Sequence, residues 1–511
     1  MRPGNQQERT AYGDFQTPAP LAEIVMSRVL DAGFRPTTIF EPTCGEGTFV
    51  QAALRAFPDA RLLAQDINPA YVRTARLALK EGGFDVSLRV ADFFRTDWAK
   101  RVNEATDPIL FVGNLPWVTT ADLSTAGIAN LPERSNFKKL VGLSAKTGAS
   151  NFDISEWMLL RLLEAAQHVE AMFAVLVKTS VARRVVLHSH VSGWSLAHAS
   201  IRRFDSQKWF GASVDAGLFQ LIVSKQRKST KSCRVFASLT ATRPEASIGV
   251  ESGQLIANSS LYRRSEDIYE GARPIWRSGV KHDCAAALEF TVHGGQLINK
   301  LGEVADIEKN VVFPLAKGSD LVAPMTSVIK RRVLITQRYN NEDPRALKDA
   351  SPKAWEYLLT KRELFQKRKS SIYQGKPQFS MFGIGDYSFT PWKIAISGFH
   401  KQIRFALVPP FESRPVMLDD TCYFIGCSSA RLANSAFWLL TLPEATDAFH
   451  ALIFWDTKRP ITKAILDRVN LQSLARRAFL KGSVPPSLRV GVAQIGRLYG
   501  EGRDTLLMKN T

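Results

Sequence analysis

At 511 residues the chain is too long for a single hydrophobic core, so two or three domains are expected. Its 45% hydrophobic and 23% charged residues are values of a globular protein, no segment approaches the eighteen or so unbroken apolar residues of a membrane span, and Met1 to Gln7 lacks the apolar core of a signal peptide. The net charge of +19 is unevenly placed: residues 1–228 hold 27 Lys+Arg against 22 Asp+Glu, and residues 229–511 hold 40 against 26, which favours a polyphosphate partner for the second part.

In chain order, Leu21 to Leu30 has helical apolar spacing, and Thr38-Ile39-Phe40 reads as a strand entering the glycine-rich turn Glu41-Pro42-Thr43-Cys44-Gly45-Glu46-Gly47. A helix follows from Phe49 to Phe57. Arg61 to Asp66 is a strand ending in an acid, Ala70 to Glu81 a helix, and Val86 to Val90 a strand ending at Asp92. Ile109 to Val112 is a buried strand leading into Asn114-Leu115-Pro116-Trp117. Ser155 to His168 is an amphipathic helix capped by Asp153 or Ser155, and Met172 to Val177 and Leu218 to Val223 are further strands. This alternation predicts a doubly wound parallel sheet with its ligand beyond the carboxyl ends of the strands. Gln226 to Ser232 reads as a basic linker. Beyond it, short strands such as Arg332 to Thr336 and Trp392 to Ser397 lie among Gly, Pro and basic clusters, and residues about 425–480 turn helical. The expected domains are 1–228, 233–425 and 426–511.

The glycine turn fits neither GxGxxG nor a P-loop. Glu41 opens it with a carboxylate, which repels a pyrophosphate and suits a cofactor with a cationic amino-acid head, such as S-adenosyl-L-methionine. Asp66 can accept two ribose hydroxyls. Asp92 and Phe93 offer an acid and a ring to an adenine. Each acid alone is as readily a helix cap, but three at successive strand ends around one turn read together as a pocket. Thr17 before Pro18 reads most simply as the cap of the first helix. Asn114-Leu115-Pro116-Trp117 supplies an amide oxygen, a backbone carbonyl and an aromatic face, which suit an exocyclic base amine taken out of its stack. The five cysteines form no CxxC pair, which fits a reducing cytoplasm and no zinc or disulfide framework, and His188-x-His190 reads as a surface coincidence.

Taken in order, Tyr12 to Pro18, Glu41 to Phe49, Asp66, Asp92-Phe93 and Asn114 to Trp117 resemble the gamma-class amino methyltransferases, the S-adenosyl-L-methionine-dependent DNA N6-adenine enzymes of restriction-modification systems. The resemblance covers residues about 10–225. It implies a Rossmann-like methyltransferase sheet followed by a mixed α+β target-recognition domain. In the cofactor pocket it implies Thr17, Pro18, Glu41, Pro42, Gly45, Gly47, Asp66, Ile67, Asp92, Phe93 and Asn114. In the reaction it implies Asn114, Pro116, Trp117 and Phe210, the last packing on an extruded base. Leu115 departs from the family's usual proline, and the Asn-Leu-Pro-aromatic form also resembles ribosomal RNA adenine dimethyltransferases. In the second half Trp276 to Asp283, Gly385 to Lys393 and Lys458 to Lys463 resemble the family's recognition domains. The basic residues expected on nucleic acid are Arg263, Arg264, Arg277, Lys281, His282, Lys330, Arg331, Arg332, Arg338, Lys367, Arg368, Lys369, Lys393, Lys458 and Arg459, with Gln337 and Tyr339 among them.

The expected partner is double-stranded DNA, bound by a monomer, with a separate cognate endonuclease. The chain has no Glu-x-Lys and no extension before Tyr12 to house a nuclease. The competing readings are an RNA adenine-N6 enzyme, a DNA cytosine-N4 enzyme and a non-catalytic DNA-binding module. A cytosine-C5 enzyme would need a nucleophilic cysteine, and none is placed for it.

Overall fold

The computed structural model describes residues 15–82, 86–119, 153–224, 226, 230, 232–271, 275–322, 325 and 329–498. Met1 to Gln7, the motif residues Tyr12, Gly13 and Asp14, and the linker residues Arg227, Lys228, Ser229 and Lys231 lie outside the described residues. The chain divides into two compact units, Met1–Ser259 and Ser260–Thr511.

The first unit alternates helices and strands: α1 (Ala19–Asp31), β1 (Thr38–Glu41), α2 (Thr48–Ala56), β2 (Arg61–Asp66), α3 (Pro69–Glu81), β3 (Ser87–Val90), α4 (Trp98–Asn103), β4 (Ile109–Asn114), α5 (Ile154–Ala165), β5 (Ala171–Lys178), α6 (Thr179–Val191), β6 (Leu196–Phe204), α7 (Ser206–Phe210), β7 (Ala216–Val223), β8 (Ser232–Phe236), β9 (Ala246–Glu251) and β10 (Gln254–Ile256). They form one ten-stranded sheet in the order β10-β9-β8-β6-β7-β5-β4-β1-β2-β3. β3, β2, β1, β4 and β5 run parallel, whereas β7 is antiparallel to both β5 and β6. The order reverses between β1 and β4, which makes their carboxyl ends the switch point where such sheets bind ligands. β5 and β7 are apolar along nearly their whole length because helices cover both faces. α1 buries Leu21, Ala22, Val25, Met26 and Val29, one stripe at helical spacing. Asn68 caps α3 by accepting the Ala70 N–H at 3.0 Å, and Pro69 fills its first turn.

Three expectations change here. Pro18, not Thr17, occupies the cap position of α1, and Thr17 is buried at 8% exposure instead of capping. Asp153 heads α5 but makes no cap bond; its carboxylate is drawn off by Lys178 at 2.8 Å and by the Ser155 hydroxyl. The expected boundary after residue 228 falls inside the first unit, because β8 pairs parallel with β6 and brings β9 and β10 onto the sheet. A polar, basic stretch therefore marks a connection between two strands of one sheet, β7 and β8, which flank β6.

The second unit holds two sheets. β11 (Arg277–Ser278), β20 (Cys422–Cys427), β17 (Trp392–Ser397) and β18 (Ala406–Val408) pair in that order. The other sheet runs β14 (Val304–Ala305), β13 (Gln296–Asn299), β12 (Glu289–His293), β16 (Arg331–Leu334), β15 (Val312–Ala316) and β19 (Met417–Leu418). Helices Ala430–Leu440, Pro443–Leu452 and Leu471–Leu480 share one core with β17 and β20, so the expected division at 425/426 runs through that core. Among the described residues no helix is long and apolar enough to cross a membrane, and no His, Cys, Asp or Glu group could hold a metal. All five cysteines are free and buried.

Lys393, expected on nucleic acid, is 1% exposed on the inner side of β17, with Nζ donating to the Thr390 carbonyl at 2.7 Å. Burial pushes its pKa down to about 7. A lysine with a depressed folded pKa weakens the fold fully below pH 7, and the unfolded chain binds the extra proton between about 7 and the ordinary 10.5. The second unit should therefore gain stability as pH rises through that window, at up to about 1.4 kcal/mol per pH unit. Lys393→Met should flatten this slope in denaturant melts at pH 7 to 10; an unchanged slope would assign it to other groups.

Candidate active site at the switch point of the sheet

Glu41 ends β1 and Asn114 ends β4, side by side at the switch point. Between them Gly113 adopts φ +151°, a backbone conformation that side-chain-bearing residues rarely take, while a Cβ added to it would make only ordinary contact with Cγ of Glu41 at 3.7 Å. Glu41 is 2% exposed, and its Oε2 has no hydrogen-bond partner. Burial, then the charge of Asp66, holds its pKa well above the ordinary carboxylate value. The Val50 backbone N–H offsets part of this, yet a buried carboxylate oxygen without a partner is costly unless a cation or donor comes to it.

The glycine turn is tied down from several sides. The Cys44 N–H donates to the Gln65 carbonyl at 2.9 Å and the Gly47 N–H to the Cys44 carbonyl at 2.8 Å. Gly45 adopts φ +50° and donates to Oδ2 of Asp66 at 2.9 Å, while Oδ1 of Asp66 accepts the Asn68 N–H at 2.8 Å. Gly47 adopts φ +87°, and a Cβ there would lie 2.9 Å from that of Ala75. Only glycine fits both demands at position 47. Pro42 is buried under the turn. Burial, then the carboxyls of Glu41 and Asp66, pushes the Cys44 pKa up strongly, which favours the neutral thiol.

At the next strand end Asp92 caps a short turn by accepting the Phe94 N–H at 2.9 Å. Phe93 departs from expectation. Its ring is 5% exposed and packs on Trp98 at 4.8 Å, so it belongs to the core and offers no free face. Exposed apolar surface beside the acids is offered by Ile67, at 53%, and by Val90, at 52%.

The Asn-Leu-Pro-Trp segment sits against the N-terminal strap. Nδ2 of Asn114 donates to the Phe15 carbonyl at 2.9 Å, which leaves Oδ1 as an acceptor, buried and without a partner. The strap also reaches the glycine turn, where Oε1 of Gln16 accepts the Glu46 N–H at 3.2 Å. Leu115, where the family has proline, is 1% exposed and fills core space. Pro116 is half-buried. Trp117 is 5% exposed, donates Nε1–H to the Leu176 carbonyl at 3.3 Å, and meets Phe15 at 5.5 Å and Phe210 at 5.1 Å, the latter edge-on. The two rings expected to stack on a base thus pack on each other. Phe210 is only half-buried at the end of the short helix α7, followed by Gly211 at φ +66°. Phe15 and Gln16 fall within the Tyr12 to Pro18 motif, but their individual contacts are not legible in the sequence, since neither a backbone carbonyl nor a lone amide carries a pattern.

In the second unit the expected basic residues separate into exposed and committed groups. Lys367 and Lys458 are exposed. Arg338 pairs with Asp386 at 3.5 Å while 58% exposed, and Arg331 pairs with Asp320 at 2.6 Å. Arg277 lies over the Tyr387 ring at 4.7 Å, and Lys281 bridges Asp283 at 3.1 Å and Asp420 at 3.4 Å. Two residues are corrected besides Lys393. His282 is 7% exposed, accepting the Cys284 N–H at Nδ1 and facing Glu289 from Nε2. Arg368 is a structural clamp on the carbonyls of Gln378 and Ser380, stacked on Tyr373 at 3.7 Å. Their donors are consumed internally, which a run of basic letters does not reveal. Of the three fragments resembling recognition domains, the first two meet where Arg277 lies over Tyr387, and the third is linked to the first through Asp420, which takes the Lys281 ammonium at 3.4 Å and gives its carbonyl to Arg459 at 2.7 Å. Asp420 was missed in the sequence.

No protein-family model matches the chain. Over 479 residues, 92% of this chain and 98% of the other, it is 38% identical to the type II methyltransferase M.NspV of Nostoc sp.. Over 115 residues, 22% of this chain and 27% of the other, it is 32% identical to the type II methyltransferase M.CvrRI of Paramecium bursaria Chlorella virus XZ-6E. Among solved structures it is similar to an S-adenosylmethionine-dependent methyltransferase of Clostridium acetobutylicum, at 11% identity and a TM-score of 0.20 over 38% of this chain and 58% of that one.

Proposed function

The chain belongs to the type II methyltransferases, and from that premise we propose that it methylates the N6 amine of an adenine extruded from duplex DNA, as the modification enzyme of a restriction system. The observation that carries this reading is the Asn114 amide. One N–H of Nδ2 is held by the Phe15 carbonyl, which fixes the amide's orientation, and Oδ1 is left as a buried acceptor without a partner, suited to a donor such as an exocyclic amine.

The cofactor is S-adenosyl-L-methionine, and the pocket residues fit it. Glu41 presents a buried carboxyl to the cationic amino-acid head, near Thr17 and Pro18. Gly45 and Gly47 keep the turn open beneath it. A carboxylate has about four acceptor sites, so Asp66 can hold the turn and still take ribose hydroxyls. Asp92, the backbone at Phe93 and the exposed Ile67 surround the adenine. Bound there, the cofactor supplies an electrophilic methyl group on its sulfonium.

The chain's own residues then orient the amine. Its lone pair is delocalised into the ring. Hydrogen bonds from the amine to Oδ1 of Asn114 and to the Pro116 carbonyl favour a pyramidal nitrogen with the lone pair free. Positioning and fixed dipoles carry the rate, with no covalent enzyme intermediate. Phe210 yields its place against Trp117, and the target ring stacks there, a contact worth about 1–3 kcal/mol. The second unit supplies target recognition through exposed cations and base-edge contacts.

The test is transfer of labelled methyl from S-adenosyl-L-methionine to unmethylated bacterial DNA, followed by nucleoside analysis and single-molecule mapping. N6-methyladenine in one short context is the expected product. N4-methylcytosine would move the assignment to the other amine, and label in structured RNA alone would overturn the DNA reading.

A further inference from the structure

The turn between β17 and β18 holds an outward ring that neither the fold nor the cofactor pocket uses. Phe399 is 44% exposed, yet its backbone is fixed. The Gly398 N–H donates to the Thr421 carbonyl at 2.9 Å, the Phe399 N–H donates to the Ser397 hydroxyl at 3.3 Å, and His400 bonds the Gly318 carbonyl at 3.1 Å. The ring is backed by a cation. The Arg459 guanidinium lies 5.3 Å from its centroid and 4.9 Å from that of Tyr423, with Nη2 anchored on the Asp420 carbonyl. Gly398 makes room for this column, since a Cβ there would lie 2.5 Å from Nε of Arg459.

The surroundings are cationic. Lys401 and Arg404 are exposed in the same turn, and Lys458 is exposed beside Arg459. Lys401 is held by the carbonyls of Trp455 and Thr457, which joins the turn to the Lys458 loop. The nearby Asp420 carboxylate is engaged by Lys281. A single exposed apolar residue means little. A ring backed by a guanidinium, with exposed cations in its own turn and in the loop joined to it, has a specific match: a base face flanked by phosphates.

We propose that Phe399 is a stacking platform for duplex DNA, its ring set against a base at a partly unstacked step while Lys401, Arg404 and Lys458 take the flanking phosphates. Proteins that distort DNA use apolar side chains in this way. The inference rests on the DNA reading above, and names within it a contact outside the cofactor pocket.

The test compares wild type, Phe399→Ala, Phe399→Trp and Lys458→Ala in binding a labelled duplex that carries the wild-type target, over a range of salt. Phe399→Ala should raise Kd about tenfold or more with an unchanged salt slope. Phe399→Trp should bind as wild type, and Lys458→Ala should lower the slope by about one. All four should melt alike and bind the cofactor alike. Wild-type Kd for Phe399→Ala, on DNA that the wild type methylates, would overturn the platform alone. A wild type that neither binds nor methylates duplex DNA would overturn the underlying reading before any variant is made. A change in sedimentation rather than in DNA binding would assign the ring to a contact between copies and also overturn the proposal.

Discussion

Asn114→Ala should lower methyl transfer to DNA by about a hundred- to a thousandfold while the protein still binds S-adenosyl-L-methionine. The size follows from what is lost. Oδ1 of Asn114 is a buried acceptor already held in one orientation by the Phe15 carbonyl, so it needs no reorganisation when the amine arrives. Alanine removes that acceptor and leaves the Pro116 carbonyl as the amine's single partner. Asn114→Asp should be nearly as damaging although it keeps two acceptor oxygens. A carboxylate cannot donate to the Phe15 carbonyl and is repelled by it, so the strap no longer fixes the group. Single-turnover rates with saturating cofactor measure both effects. Turnover preserved in the alanine variant would sink the assignment of Asn114.

Glu41→Gln should weaken cofactor binding by about a hundred- to a few thousandfold and at the same time raise the melting temperature of the protein without cofactor. Removing one partner of a buried ion pair costs about 3–5 kcal/mol, and each 1.4 kcal/mol is tenfold in affinity. The opposite effect on stability comes from the raised pKa. Burial and Asp66 make the ionised Glu41 carboxyl unfavourable in the fold. Its burden is absent below the ordinary value of 4.5 and grows as pH rises through the raised folded value. Cofactor affinity runs the other way. It is full above the folded pKa, where the carboxylate faces the cationic head, and falls as pH drops through it. Calorimetric titrations at several pH values, in buffers of different ionisation heat, should detect proton release on binding in wild type and none from this site in Glu41→Gln. Equal affinities across pH in both proteins would remove Glu41 from the pocket.

What was legible in the sequence was local. Glu41, Asp66 and Asp92 stand at strand ends, and a strand end followed by glycine or by a helix is written in neighbouring letters. The parallel strands β1 to β5 were readable for the same reason, as apolar runs between helical stripes. β6 was not, because His198, Arg202 and Arg203 break its alternation, and its place is set by pairing with β7. β8 to β10 were lost to the domain boundary, since the Gln226 to Ser232 stretch has linker composition but joins strands of one sheet. Side-chain exposure was the least readable property. Phe93 and Trp117 have the letters of stacking rings, and Lys393, His282 and Arg368 those of DNA contacts, yet distant neighbours decide whether such groups face water. Phe399 and Asp420 carry no pattern, and only the turns that bring residues 398, 420 and 459 together give them meaning.

The strap at Phe15 and Gln16 touches two places at once, the Asn114 amide proposed to receive the amine and the glycine turn proposed to cradle the cofactor. The strap is already bonded at both ends, so a ligand that tightens it at one end leaves less residual motion to be lost at the other. The two ligands should therefore bind with positive cooperativity, and by thermodynamic reciprocity the factor by which cofactor tightens DNA must equal the factor by which DNA tightens cofactor. Gln16→Ala, which cuts the strap from the turn while leaving both binding surfaces in place, should shrink that shared factor toward one.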